Sequence, residues 1–171
     1  VTGSAAFVFA IRRADPTDAA SIAAAHLDSI RSIGPLFYPS EIVHDWGARI
    51  SDSLYVTAMQ HGEVFYIAVS MVEGNPMVVG FASHRVEGQQ HRTAVYVRGM
   101  AARQGVGSAL FRSAEAEAIA AGATSIHVAA SLAAVEFYKR NGFEVVRRGE
   151  HALSTGRRMA CVFMRKPMAV R

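Results

Sequence analysis

The sequence predicts a mixed α/β (α+β) fold, in which about four helices flank a largely antiparallel central sheet of about six to seven strands. Three observations predict it. Short β-prone runs are separated by turn chemistry, as in Met77–Val86 after Glu73-Gly74-Asn75-Pro76. One long Ala-rich stretch, Gln104 to Ala121, has a helix former at nearly every position and ends at Gly122. The inferred order β-α-α-β-β-β-α-β-α-β-β then requires right-handed crossovers around that long helix.

Phe7 to Arg13 is an apolar, β-prone run, closed by Ala14-Asp15-Pro16, where Asp15 suits a helix N-cap and Pro16 the first helical position. Ala19, Ile22, Ala23, His26, Leu27 and Ile30 fall on one helical face, so an amphipathic helix is expected from Pro16 to about Ser32. Gly34-Pro35 stops it, Phe37-Tyr38-Pro39 is extended, and Ser40 is placed as the cap of a second helix carrying Ile42, Val43, Trp46 and Ile50 inward. Glu63–Met71 and Met77–Val86 read as a hairpin, and His91–Val97 as the next strand. The long helix would span about 27 Å. After it come a strand from Ser125 to Ala130, a helix from Leu132 to Arg140 closed by Asn141-Gly142, and strands over Phe143–Arg148 and Arg158–Arg165.

At 171 residues the chain is expected to form one domain over residues 7–168, able to bury about 70% of its extended surface without staples. Residues 1–6, which begin without Met, are expected to be a disordered tail or an expression remnant. The lone Cys161 lies in an apolar run and reads as a core thiol, consistent with a reducing cytoplasm. No apolar run approaches about 18 residues and no signal-peptide pattern is visible, so no membrane partner is expected. The net charge of +4 admits an anionic ligand, but the arginines are dispersed and argue against a dedicated nucleic-acid face. No Cys/His set has zinc spacing, so no metal is expected. The chain also lacks a Gly-x-Ser-x-Gly elbow and a Gly-Lys-Ser/Thr phosphate loop.

The segment Tyr96–Leu110 carries the strongest chemical signal: a strand, a turn, a glycine-punctuated loop and a helix start. The first N–H groups of such a helix lack acceptors and sit at the positive end of its dipole, which favours an anion. Gly105 and Gly107 let a phosphate approach the backbone, and Ser108 adds a hydroxyl. Gly-x-Gly beside a basic residue also suits a plain tight turn. A second block, Ser131-Leu132-Ala133-Ala134-Val135-Glu136-Phe137-Tyr138-Lys139-Arg140-Asn141-Gly142-Phe143, follows the next strand.

Together with the order of elements, these two stretches resemble the GNAT superfamily of N-acetyltransferases over about Phe9 to Met168. Ala102-Arg103-Gln104-Gly105-Val106-Gly107 is similar to its Gln/Arg-x-x-Gly-x-Gly/Ala loop, and the second block to its Asn-x-x-Ala-x-x-Phe-Tyr-x-x-x-Gly-Phe pattern. The sequence departs from the family at Ala102 and Ser131. The resemblance implies acetyl-CoA as co-substrate, with its pyrophosphate on the backbone of Arg103, Gln104, Gly105, Val106, Gly107 and Ser108. It further implies that Val95 and Val97 flank the pantetheine arm, and that Ser131, Ala134, Phe137, Tyr138 and Arg140 bound the rest.

The same resemblance implies acetyl transfer to an amine by direct attack in a ternary complex, with Tyr138 as proton donor to the leaving thiolate. Many relatives place a glutamate on the strand before the loop, but Gln89–Met100 holds no carboxylate. His84 is therefore the expected base, ahead of His127, His26 and His44. The early helices usually form the acceptor pocket, which assigns substrate contacts to Phe37, Tyr38 and Trp46, with Glu41 or Asp45 available to a cationic acceptor. The expected acceptor is a small-molecule or peptide amine. Two other readings stand beside it: a non-catalytic acyl-CoA-binding sensor, and a nucleic-acid-directed member acting on aminoacyl-tRNA. Apolar strand edges near the C-terminus make a homodimer an open expectation.

Overall fold

A computed structural model describes residues 5–169; the expected tail over residues 1–6 lies, for residues 1–4, outside the described residues. The chain forms β1 (Ala10–Arg13), α1 (Ala19–Ile33), α2 (Ser40–Gly47), α3 (Asp52–Gln60), β2 (Val64–Val72), β3 (Asn75–Glu87), β4 (Gln90–Val97), α4 (Val106–Ala120), β5 (Ser125–Ser131), α5 (Val135–Arg140), β6 (Glu144–Ala152) and β7 (Arg158–Pro167). The seven strands make one sheet in the order β1-β2-β3-β4-β5-β7-β6. All neighbours are antiparallel except β4 and β5, which α4 connects as a parallel crossover.

Asp15 caps the first helical turn, accepting from Thr17 N–H, while Asp18 reaches back to the Asp15 N–H and completes a capping box. The single helix expected from Ser40 to Ile50 is instead two. Pro39 occupies the N-cap of α2 without a side-chain cap, and the chain leaves α2 after Gly47, turns through an extended Ser51 and re-enters as α3. The third helix of this region, α3, is a correction to the expected count of about four. Its fully helical stretch buries only Tyr55, too little apolar periodicity to announce itself. The long helix starts at Val106 rather than Gln104, because Gly105 adopts φ +81 and can only precede it.

Two faces of the sheet matter below. On the front, α1 and α3 cover β2 and β3 through a core containing Ile22, Ala25, Tyr55, Phe65, Ile67 and Phe81. On the back, α4 packs Val106, Leu110 and Ala114 onto Ala68, Val79 and Ala82. Further along the back, Phe111, Tyr138 and Phe143 pack onto Ile126, Val128, Val162 and Met164 of β5 and β7. Burying each of these large side chains contributes about 1.5–3 kcal/mol, and the back layer they form runs from β2 to β7. On β7 and β6 the front is packed only at its upper end, where Tyr38, Leu153 and Met159 meet Ile42, Val43 and Trp46.

Candidate active site

The parallel pairing of β4 with β5 covers only His91↔Ile126 and Arg92↔His127. Beyond those pairs β4 remains bonded to β3 up to Val97↔Gly80, and β5 to β7 up to Ser131↔Cys161. The two strands therefore diverge toward their C-terminal ends and leave a fork with backbone groups on its inner edges. Tyr138 of α5 fills the base of that fork. It is buried, packed with Phe111, Val128 and Phe143, and the Val95 backbone is near its hydroxyl. Burial pushes the phenol well above its ordinary value, nearby Tyr96 adds to that, and the Val95 backbone opposes both.

At the mouth of the fork, β4 gives way to the short turn Gly99–Ala101 and the loop into α4. This turn is held from the front by α1. Asp28 accepts the Gly99 N–H at 2.9 Å, and a Cβ at Gly99 would lie 2.7 Å from Ser32. Arg98 donates to the Val78 carbonyl at 2.8 Å and sits 3.6 Å from Asp28. In the loop, Arg103 has φ 61, a conformation that costs a non-glycine residue about 1–3 kcal/mol and persists where the surroundings impose it. None of the N–H groups of Arg103, Gln104, Gly105, Val106, Gly107 and Ser108 takes a backbone acceptor. They lie at the start of α4, where the helix dipole adds positive potential.

Side chains of α5 close the other side. The Phe137 ring occupies the space above Gly107, where a Cβ would come within 2.9 Å of it. Asn141 donates to the Phe137 carbonyl at 2.9 Å and to Ser108 Oγ at 3.2 Å, so Ser108 keeps its own proton free to donate outward. Ser131 ends β5 and Ala134 caps α5, on the far lip of the fork, while Arg140 is exposed at the end of α5. This set suits a bulky anion with an extended arm: orphaned N–H groups, two glycines, a free hydroxyl and an unpaired strand edge along Val95 and Val97.

The front of the fork is an aromatic wall. Tyr96 stacks on Phe81 with ring centroids 5.5 Å apart and lies 3.8 Å from the His26 ring. Trp46 packs edge-on against Tyr96 with ring centroids 6.3 Å apart, and burial pushes the Tyr96 phenol up to about 12. His26 Nδ1 lies 2.5 Å from the Tyr55 hydroxyl, and its Nε2 is buried with no partner among the described residues. Burial alone lowers His26 to about 3, so this imidazole is neutral at physiological pH.

Several expected site residues are placed differently. His84 alternates away from Phe81 on β3, onto the α4 side, where its ring stacks on His91 with Nε2 to Nδ1 at 3.0 Å. It is buried, its affinity for protons is lowered by burial and by His91, and it lies on the opposite face of the sheet from Tyr96 and Phe81. Tyr38 spends its hydroxyl as a strut, donating to the Ala160 carbonyl and accepting from Leu132 N–H, both at 2.7 Å. That leaves it a wall of the pocket, not a free contact. Phe37 is 47% exposed at the lip, and Trp46 lies between Tyr38 and Tyr96. Asp45 is held at about 2 by hydrogen bonds from Arg157, His44 and Thr155, so it is not free for an acceptor. Glu41 and His44 are exposed on α2, and His127 faces the front below the fork. Tyr96, Asp28 and Asn141 were not anticipated; of these, Tyr96 could have been found from its alternation with Val95 and Val97.

Residues 38–161 match the family model described as "Acetyltransferase (GNAT) domain". The chain belongs to the GNAT acetyltransferases. Among solved structures it is similar to a GCN5-related N-acetyltransferase from Rhodopseudomonas palustris, at 29% identity and TM-score 0.80, over 97% of this chain and 100% of that one. It shares the fold of PaiA N-acetyltransferase from Thermoplasma acidophilum, solved in complex with coenzyme A, at 16% identity and TM-score 0.72, covering 94% and 99%. YncA from Salmonella typhimurium, solved with its cofactor acetyl-CoA, aligns at 20% identity and TM-score 0.69, covering 96% of each chain. Comparison with curated sequences returns no match. The seven-stranded sheet and five helices are those of the GNAT fold. No described helix is long and apolar enough to cross a membrane, and no group of three or more metal-ligating side chains occurs among the described residues.

Proposed function

We propose that this GNAT member is an acetyl-CoA-dependent N-acetyltransferase in which an amine attacks directly within a ternary complex. The observation that carries the reading is the fork itself, with an N–H cradle at its mouth and the Tyr138 hydroxyl at its base. Acetyl-CoA supplies an activated acetyl thioester, and its transfer to nitrogen forms a C–N bond, breaks the C–S bond and leaves a thiolate. The backbone of Arg103–Ser108 binds the pyrophosphate, with the Ser108 hydroxyl as an added donor, and the free edge of β4 at Val95 and Val97 pairs with the pantetheine arm. Tyr138 holds a proton at Oη at every physiological pH, because its acidity is suppressed. It stabilises the departing sulfur and finally hands over that proton, while the proton that the attacking nitrogen loses passes to solvent, from which the phenol is restored.

The aromatic wall addresses the amine. A lysine-like amine is neutral only about one time in a thousand at neutral pH, a cost of roughly 4 kcal/mol. His26 reports what the wall does to positive charge: burial there lowers an imidazole from 6.5 to about 3. An amine entering beside Tyr96, Trp46 and Tyr38 is pushed toward its neutral form by the same desolvation, without a carboxylate base.

Two measurements test this. Tyr138→Phe is expected to lower kcat about 100-fold while leaving acetyl-CoA affinity intact; unchanged turnover removes its role. The pH dependence of kcat/KM should rise with pH, track the pKa of each amine in a panel and survive His84→Ala. Absence of thiol release with every amine would favour a non-catalytic acyl-CoA sensor instead.

A further inference from the structure

Below the fork, the front of the sheet carries a groove of about 600 Å³ lined by Arg92, His127, Arg147, Phe163 and Arg165, with Glu144 at its edge. These residues come from four strands and converge by register. Arg92 pairs with His127, His127 with Arg165, and Arg147 with Phe163.

The groove has features of a built site. A bulge between Val145 and Arg147 inserts one residue into β6 and sets Arg147 on the same face as Phe163. The Arg147 guanidinium lies 3.9 Å over the Phe163 ring. Gly149 makes room for it, since a Cβ there would lie 2.8 Å from Arg147 Nη1 and 2.9 Å from Phe163 Cε2. Arg147 has no carboxylate partner within ion-pair distance among the described residues. Arg165 meets Glu144 only at 3.6 Å, and Arg92 meets Glu87 at 3.3 Å; exposed pairs of this kind contribute about 0–1 kcal/mol. His127 is held down as a base by burial and by the positive charge of Arg92 and Arg165. The groove thus concentrates cationic groups around an aromatic floor, with their donors incompletely used.

Its position connects it to the fork. Arg92 and His127 form the last paired rung before β4 and β5 separate. On the same face the next residues up are Ala94 and Ala129, whose methyl groups leave the floor low as far as Tyr96. From Arg92 to Val95 is three residues, about 10 Å along a strand.

We propose that this groove is the anion subsite of the acceptor: the substrate carries a carboxylate or phosphate about 10–15 Å from its reacting amine, given three residues of rise along β4 and the two to three strand spacings to β7 and β6, and Arg147 and Arg165 hold it. The inference rests on the transferase reading and names its substrate class. A compact groove with few arginines fits one acidic group on a small or peptidic amine rather than a phosphodiester chain.

The test uses the full chain saturated with coenzyme A and three peptide amides, Ala-Ala-Ala-Asp, Ala-Ala-Ala-phosphoserine and Ala-Ala-Ala-Asn. Calorimetry at low salt should show at least one acidic peptide binding about tenfold more tightly than the Asn peptide, and which of the two wins separates carboxylate from phosphate. Arg147→Gln/Arg165→Gln should erase the preference without moving the unfolding midpoint. Gly149→Ala, which keeps every charge but crowds Arg147, should reduce it as well. Equal binding of all three peptides, or a preference that survives the double substitution, overturns the proposal, as does salt-steep binding of single-stranded RNA without peptide discrimination. In a parallel assay with acetyl-CoA in place of coenzyme A, acetylation of all three with equal kcat/KM keeps the transferase reading and sinks the subsite; discrimination in binding without any acetyl product supports the subsite and counts against the transferase reading.

Discussion

The two halves of the sheet are finished differently. The upper parts of β2 to β4 are covered on both faces, by α1 and α3 in front and α4 behind, with Ile67, Phe81, Val79 and Ala82 among the buried apolar side chains. β5 and β7 share the back layer, but in front only their upper end and that of β6 are packed, and lower down Arg147 and Arg165 are exposed. The fork lies on the seam between the halves. One side of it is thus a rigid, doubly buried platform that holds backbone groups in place. The other is a half-clad surface that can vary its side chains without disturbing the core.

The comparison can be broken most strongly at the cradle. Gly107→Val places a branched side chain where a single Cβ already meets Phe137 at 2.9 Å. Coenzyme A affinity by calorimetry should fall at least about tenfold, a loss of roughly 1.4 kcal/mol. Tight binding in this variant would show that the cradle is not built to this tolerance. An effect of comparable size is expected at the strut. Tyr38→Phe orphans the Leu132 N–H and the Ala160 carbonyl, at a cost of about 1–3 kcal/mol. Thermal unfolding should register this as a drop of about 2–4 °C per kcal/mol, and an unchanged midpoint would mean that α2 does not hold the upper front of β5 and β7.

A third effect concerns pH. His26 is depressed to about 3 in the folded chain against 6.5 when exposed. Its contribution to stability is therefore complete above pH 6.5 and is lost as pH falls toward 3, because the unfolded chain takes up the proton first. His26→Phe should flatten the fall of Tm between pH 6.5 and about 4 by up to about 10 °C. Only part of the slope should go, since His84, His127 and His151 are shifted in the same direction.

How much of this was legible in the sequence follows from what each part is made of. The cradle is backbone, and backbone needs glycine at fixed positions. Gly105 and Gly107, read with Phe137-Tyr138, therefore announced it within two short stretches. Strand order and the long helix were equally open, because hydrophobic period and turn residues are local signals. The aromatic wall is side chains from α1, α2, α3 and β4, separated by up to seventy residues (His26 to Tyr96) and joined by packing and the His26–Tyr55 hydrogen bond. Nothing local marks such a set. The face that His84 occupies was hidden for a related reason: alternation with Phe81 gives its parity, but which helix covers which face is decided by the fold. The register shift that sets Arg147 over Phe163 is invisible for the same cause, since Val145-Val146 reads as ordinary strand.

One contact joins the two substrates' sites mechanically. α1 carries His26 into the acceptor wall and, two residues later, Asp28 clasps the Gly99 N–H in the turn that leads to the phosphate loop. Helix and turn are so close that no side chain fits at Gly99. A shift of α1 would thus be passed to the turn, and under the proposed function any effect of an occupied cradle on the amine would be matched by an equal effect of the amine on the cradle.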